Sequence, residues 1–207
     1  MKKLQSKNNL ILLSLLLLIF GGCVKEPCLN IAELDKQTAE TMEWFVNDSI
    51  GNQTITDKNG ISQTLIVSSR YSDFHENILE DDCGNTYGSF HFSIQYNTSL
   101  SPLHLMVDIH GSGLSEDGFY LKITITNTNI VEHKSTTYDF VTETCRDNNA
   151  TIVFMEQIHI LNKVYDDVLK ITFKNTFSTN DVKTVYYSKG YGIIKFIKEN
   201  GNEFEIN

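Results

Sequence analysis

The chain has 207 residues and carries 17 Lys and Arg against 26 Asp and Glu, a net charge of −9 at pH 7. So acidic a surface lacks the electrostatic footprint of a nucleic-acid binder and argues against that class of partner. The length suits one domain with a proper core, and only two prolines interrupt it.

Lys2, Lys3 and Lys7 form a positive head, Leu10 to Phe20 an apolar run of 11 residues, and Gly21, Gly22 and Cys23 a close of small residues. A spanning helix needs roughly 20 apolar residues, so the run reads as a secretory signal and not as an anchor. An ordinary signal ends in an Ala-x-Ala-like pattern, whereas here a glycine pair runs straight into a thiol. The stretch Ile19-Phe20-Gly21-Gly22-Cys23 resembles a bacterial lipobox, with Phe20 a departure from the small or aliphatic residue usual at that place. The resemblance implies cleavage before Cys23, acylation of its sulfur and of the new amino group, and a lipid bilayer as partner. Several acyl chains, at roughly 0.8 kcal/mol per buried methylene, hold a protein stably where one chain does not. Val24 stands where some bacterial families place an inner-membrane retention aspartate, so the expected location is the cell envelope, at the outer membrane. Residues 1–22 are then the signal peptide, 23–30 the lipid anchor and tether, and 31–207 a single β domain. Losing the signal removes three lysines and no acid, leaving 14 basic against 26 acidic side chains, a net charge of −12.

Asn30 followed by Glu33 has the form of a helix start, with a side-chain cap and a carboxylate that reaches back. Ile31, Leu34, Thr38 and Met42 fall on one face, which predicts a short helix over 31–42. From Glu43 the period changes to two, and Trp44-Phe45-Val46 reads as a first strand. Asp48 to Asn52 supplies turn chemistry. Within it Asp48-Ser49-Ile50 resembles the three-residue sequence that Bacteroidetes envelope proteins use for O-linked sugars, which marks Ser49 as a candidate O-glycosylation site. A strand at Gln53 to Thr56 follows, then Asn59-Gly60, the strongest short hairpin signal, and a strand at Ile61 to Ser68.

The clearest strand is Gly88 to Tyr96, where Phe90, Phe92, Ile94 and Tyr96 alternate with Ser89, His91, Ser93 and Gln95, one face buried and the other wet. Leu103, Leu105, Val107 and Ile109 repeat the pattern, as do Phe119, Leu121, Ile123 and Ile125. Further strands are expected at Thr136 to Thr142, Ala150 to Leu161, Val168 to Asn175, Thr184 to Ser188, Gly192 to Lys198 and Glu203 to Ile206. About eleven strands with turn signals between neighbours, and no helical run for parallel crossovers, predict a mainly β fold. The expected architecture is an antiparallel sheet curled as a barrel, a half-barrel or a two-sheet sandwich, with at most one short N-terminal helix.

Few residues announce chemistry. Once Cys23 is spent on lipid, Cys28, Cys83 and Cys145 remain, and Cys83 with Cys145 is the candidate disulfide, each in a polar turn from which a strand starts. The cysteine spacings are not those of a zinc site. His104 and His110 share a strand face but stand roughly 20 Å apart. Asp108 and His110 are close enough to share an ion yet lack a third ligand in sequence, so no metal site is expected. Glu76, Glu80, Asp81 and Asp82 form an acidic run without the ligand order of a calcium loop. Ser112 and Ser115 fail the Gly-x-Ser-x-Gly elbow, and Gly190 and Gly192 lack the third glycine of a nucleotide loop, so neither a catalytic residue nor a cofactor is expected.

The ending Tyr187-Ser188-Lys189-Gly190-Tyr191-Gly192-Ile193-Ile194-Lys195, with Trp44-Phe45 and Asn59-Gly60 near the start, is similar to a group of Bacteroidetes lipoproteins. Their domains often end in such a hairpin and are mostly of unknown function. The expectation is a membrane-anchored, non-enzymatic binding or interaction module for a small apolar ligand, a carbohydrate or a protein partner. Trp44, Phe90, Phe92, Tyr96, Tyr186 and Tyr187 are candidates to line a cavity, or simply to pack the core. The alternative is an envelope hydrolase acting on carbohydrate or lipid, with a site assembled from residues distant in sequence.

Overall fold

The computed structural model describes Gln37 and residues 39–44, 51–80, 86–98, 103–112, 118–127, 132–176, 178–179 and 181–206. Gln37 and residues 39–42 are helical and make up α1. Twelve strands follow: β1 (Gly51–Asp57), β2 (Ser62–Glu80), β3 (Thr86–Thr98), β4 (Leu103–Ser112), β5 (Tyr120–Asn127), β6 (Glu132–Asp139), β7 (Thr144–Cys145), β8 (Ala150–Ile160), β9 (Lys163–Phe173), β10 (Val182–Ser188), β11 (Gly192–Lys198) and β12 (Glu203–Ile206). The fold is mainly β, as expected.

All twelve belong to one antiparallel sheet in which each strand pairs with its sequence neighbours and β12 returns to β1. That is the strand order of an up-and-down barrel with one pairing missing, the one between β7 and β8, so the barrel is nearly closed and has a seam. Local turn chemistry makes the hairpins. Asp57 Oδ1 accepts the amides of Asn59 and Ile61 at 2.9 and 2.8 Å, and Gly60 takes φ 78°, which a side chain would resist.

The period-two pattern puts one row of side chains after another inside the barrel. Phe92, Ile109, Leu121 and Tyr138 face one another across β3 to β6. Ile152, Ile171, Val185, Phe196 and Phe204 do the same across β8 to β12. Nearly all are buried, each contributing roughly 1.5–3 kcal/mol. Phe90, Phe92, Tyr96 and Tyr187 are therefore core, while Tyr186 belongs to a second apolar cluster with Ile160, Tyr165, Val168 and Ile194. Asp167, at φ 49° and skipped by the β8–β9 pairing, lies between Tyr165 and Val168, both of which join the second cluster.

Several boundaries differ from expectation. Trp44 itself lies in a turn, its N–H bonding to Thr41 C=O at the close of α1, while Phe45 and Val46 of the expected strand lie outside the described residues. β6 stops at Asp139, because that carboxylate takes the amides of Val141 and Thr142 at 2.8 and 2.9 Å and turns the chain. β9 begins five residues earlier than its apolar run, carried by pairing to β8.

Candidate functional site

The seam closes differently at its two ends. At one end Lys134 of β6 donates to the carbonyls of Asn175 at 3.2 Å and Val182 at 2.8 Å, and lies 4.9 Å over the Phe173 ring. Burial pulls its ammonium from 10.5 down to about 8, against the attraction of Asp181 and Glu199. Asn149 adds a bond from its side-chain nitrogen to Ser135 C=O at 3.2 Å.

At the other end the lips part, and α1 fills the mouth. Trp44 stacks on Tyr187 at 6.3 Å and tilts against Phe140 at 5.4 Å, and the Tyr187 hydroxyl donates to Trp44 C=O at 2.8 Å. Between α1, the β6–β7 turn and β8 lies an open cleft of about 400 Å³. Trp44, Phe119, Tyr138 and Phe140 form its floor; Val141 and Phe154, 53% and 49% exposed, are its apolar lips; Glu40, Glu43, Glu143 and Lys189 make its rim.

Each lip is held by local chemistry. Besides the two amides, Asp139 takes a forked bond from Arg146 at 2.9 and 2.7 Å. Burial alone would raise the Asp139 carboxyl, but the Thr142 amide, the Arg146 guanidinium and the Val141 amide hold it below the usual carboxylate range. The fixed turn presents Val141 and Glu143, the latter at φ 54°. Burial, with Glu143 and Asp139 nearby, raises the Tyr138 phenol. Lys189 is pinned by Glu43 at 2.5 Å and Asp167 at 3.9 Å.

A polar stripe runs over the wet face of β3 to β6. His91 stands 3.4 Å from Asp108 and its ring lies 6.1 Å from that of His110, which stacks on Tyr120 at 5.0 Å. The register pairs His91 with His110 directly, a neighbourhood that spacing along one strand could not reveal. Among the described residues no group of three His, Cys, Asp or Glu side chains is placed to hold a metal ion.

Cys145 is a thiol that donates to Asp147 C=O at 3.0 Å. Its expected partner Cys83 lies outside the described residues, as do Cys23, Ser49, Asp81, Asp82 and Ser115. The cleft itself was not foreseen from sequence beyond Trp44. The chain matches no protein family, no curated protein and no solved structure.

Proposed function

We propose that the protein is a lipid-anchored module of the bacterial cell envelope that binds a ligand or partner at the barrel mouth and catalyses no reaction. One observation carries the reading: a barrel whose rows of side chains fill its interior leaves its apolar surface accessible at the seam, where an aromatic floor meets a carboxylate rim. A binding site of this kind needs only a fixed floor and a few polar groups that set orientation, and Asp139, Tyr187 and Glu43 fix both. The tether follows from the lipobox resemblance at Cys23. No observation on the described residues favours the hydrolase alternative over this reading.

Trp44 is the one tryptophan of the chain and lies in the cleft floor, so its emission reports occupancy. Titration with a panel of neutral oligosaccharides, a fatty acid and short peptides should give a saturable change that Phe154→Ala weakens. A panel without any such response would remove the cleft as a binding site. Membrane fractionation of Cys23→Ser tests the tether separately, and a variant that still sediments with the envelope would remove the lipid anchor.

A further inference from the structure

The two lips of the seam differ in a way that concerns the backbone. On the β6 side the edge is sealed: Asp147 accepts the Thr137 amide at 3.0 Å and the Thr136 hydroxyl at 3.1 Å, and β7 pairs with Tyr138 and Asp139. On the β8 side the register leaves an edge that pairs with no other strand among the described residues. Lys174 N–H bonds to Asn149 C=O at 2.9 Å, and the same register continues along the hairpin. Antiparallel bonding alternates, so Thr151 and Val153 exchange bonds with β9, while the N–H and C=O groups of Ile152 and Phe154 point away from it. Those groups lie along the seam, and Phe154 projects into the lip of the cleft.

β8 also lacks the usual defences of an edge. Its sequence, Ala150 to Ile160, contains no proline or glycine, and Glu156 is its only formally charged residue. A strand laid along it would satisfy those backbone groups and place alternate side chains between Val141 and Phe154. Three of the four charged residues on the rim are acidic, and Lys189 is already paired with Glu43.

We propose that the seam receives an extended peptide segment of a partner protein, added as a strand on β8, with an apolar side chain in the cleft and basic residues beside the carboxylate rim. This deepens the binding-module reading and rests on it. A second copy of this chain is the less fitting occupant, because its own β8 brings no lysine or arginine to a rim whose net charge is negative.

The test is fluorescence anisotropy of the full chain with a labelled peptide amide, Lys-Thr-Val-Thr-Val-Thr-Lys. Saturable binding in the micromolar range is expected. N-methylation of its backbone nitrogens, replacement of its lysines by glutamates, Phe154→Ala and Glu143→Lys should each weaken binding about tenfold or more. Phe154 and Glu143 are both exposed, so neither substitution threatens the fold. An absence of saturable binding, equal affinity for the N-methylated or glutamate peptide, or indifference to both variants overturns the proposal. Sedimentation showing a micromolar dimer that Phe154→Ala dissolves also overturns it, with a second copy as occupant. If an oligosaccharide or fatty acid changes Trp44 emission while the peptide fails, strand pairing alone falls and the cleft stands.

Discussion

The Tyr187 hydroxyl, inside the barrel on β10, donates to the main-chain carbonyl of Trp44 at 2.8 Å and so ties the N-terminal helix to a strand 143 residues further on. Tyr187 is fully buried, and burial raises its phenol well above the ordinary range, so the proton needed for the bond stays in place at any physiological pH. Tyr187→Phe keeps the ring under Trp44 and strands its carbonyl. The expected cost is about 1–3 kcal/mol in urea denaturation, with a red shift of Trp44 emission as the helix loosens. Unchanged emission and stability would show that stacking alone seats the helix.

Gly111 sits opposite Phe90 across β3 and β4, and a Cβ there would strike the Phe90 ring and come within 2.8 Å of Phe119. Gly111→Ala should destabilise by about 1–3 kcal/mol, because the aromatic rings leave their rotamers to make room. A paired Phe90→Leu substitution should recover part of the loss. Equal stability of Gly111→Ala and the parent would mean that the rings shift at little cost.

Lys134 gives a dependence on pH. Its ammonium titrates at about 8 in the folded chain and at 10.5 unfolded, so between those values the unfolded chain holds a proton that the folded chain has released. Stability therefore rises with pH across that window, while below about 8 the cost of burying the charge is present in full. Tyr138, Tyr165 and Tyr187 act the other way above about pH 10, since burial keeps their phenols protonated while the unfolded phenols ionise. The comparison is thus with Lys134→Met, which shares the tyrosines. From about pH 7 to about pH 9.5 the parent should gain unfolding free energy relative to the variant, and a constant difference would show an ordinary lysine.

How much of this was legible follows from the range of each signal. The rows of Phe90 to Tyr96, Leu105 to Ile109 and Leu121 to Ile125 were plain in the sequence, because burial of one face repeats every second residue and needs no knowledge of the partner strand. Asn59-Gly60 was legible for the same local reason. Closure was not, since nothing within β1 or β12 says that Ile55 and Ile206 pair. Trp44 read as a strand opener because an aromatic pair suits a strand, whereas its place depends on Tyr187. Phe154, Val141 and Glu143 looked like ordinary strand and turn residues. They make a cleft only because the β7–β8 pairing is missing, and a missing pairing leaves no mark on the sequence.

Asp147 supplies the last prediction, since together with β7 it keeps the β6 lip from resembling the β8 lip. Its carboxylate accepts the amides of Thr137 at 3.0 Å and Asn149 at 2.9 Å and the hydroxyl of Thr136, a residue only 1% exposed. Asp147→Ala leaves these donors without their acceptor and should cost about 1–3 kcal/mol. It should also free the Thr137 amide for pairing with another chain, so light scattering of the variant should show self-association that the parent lacks. Asp166→Ala is the control, because Asp166 is exposed and its carboxylate accepts the Gln157 side-chain amide at 2.9 Å on the surface, where the change should stay within about 0.5 kcal/mol. If both variants lose the same small amount and neither associates, Asp147 is no seal, and the asymmetry of the two lips rests on β7 alone.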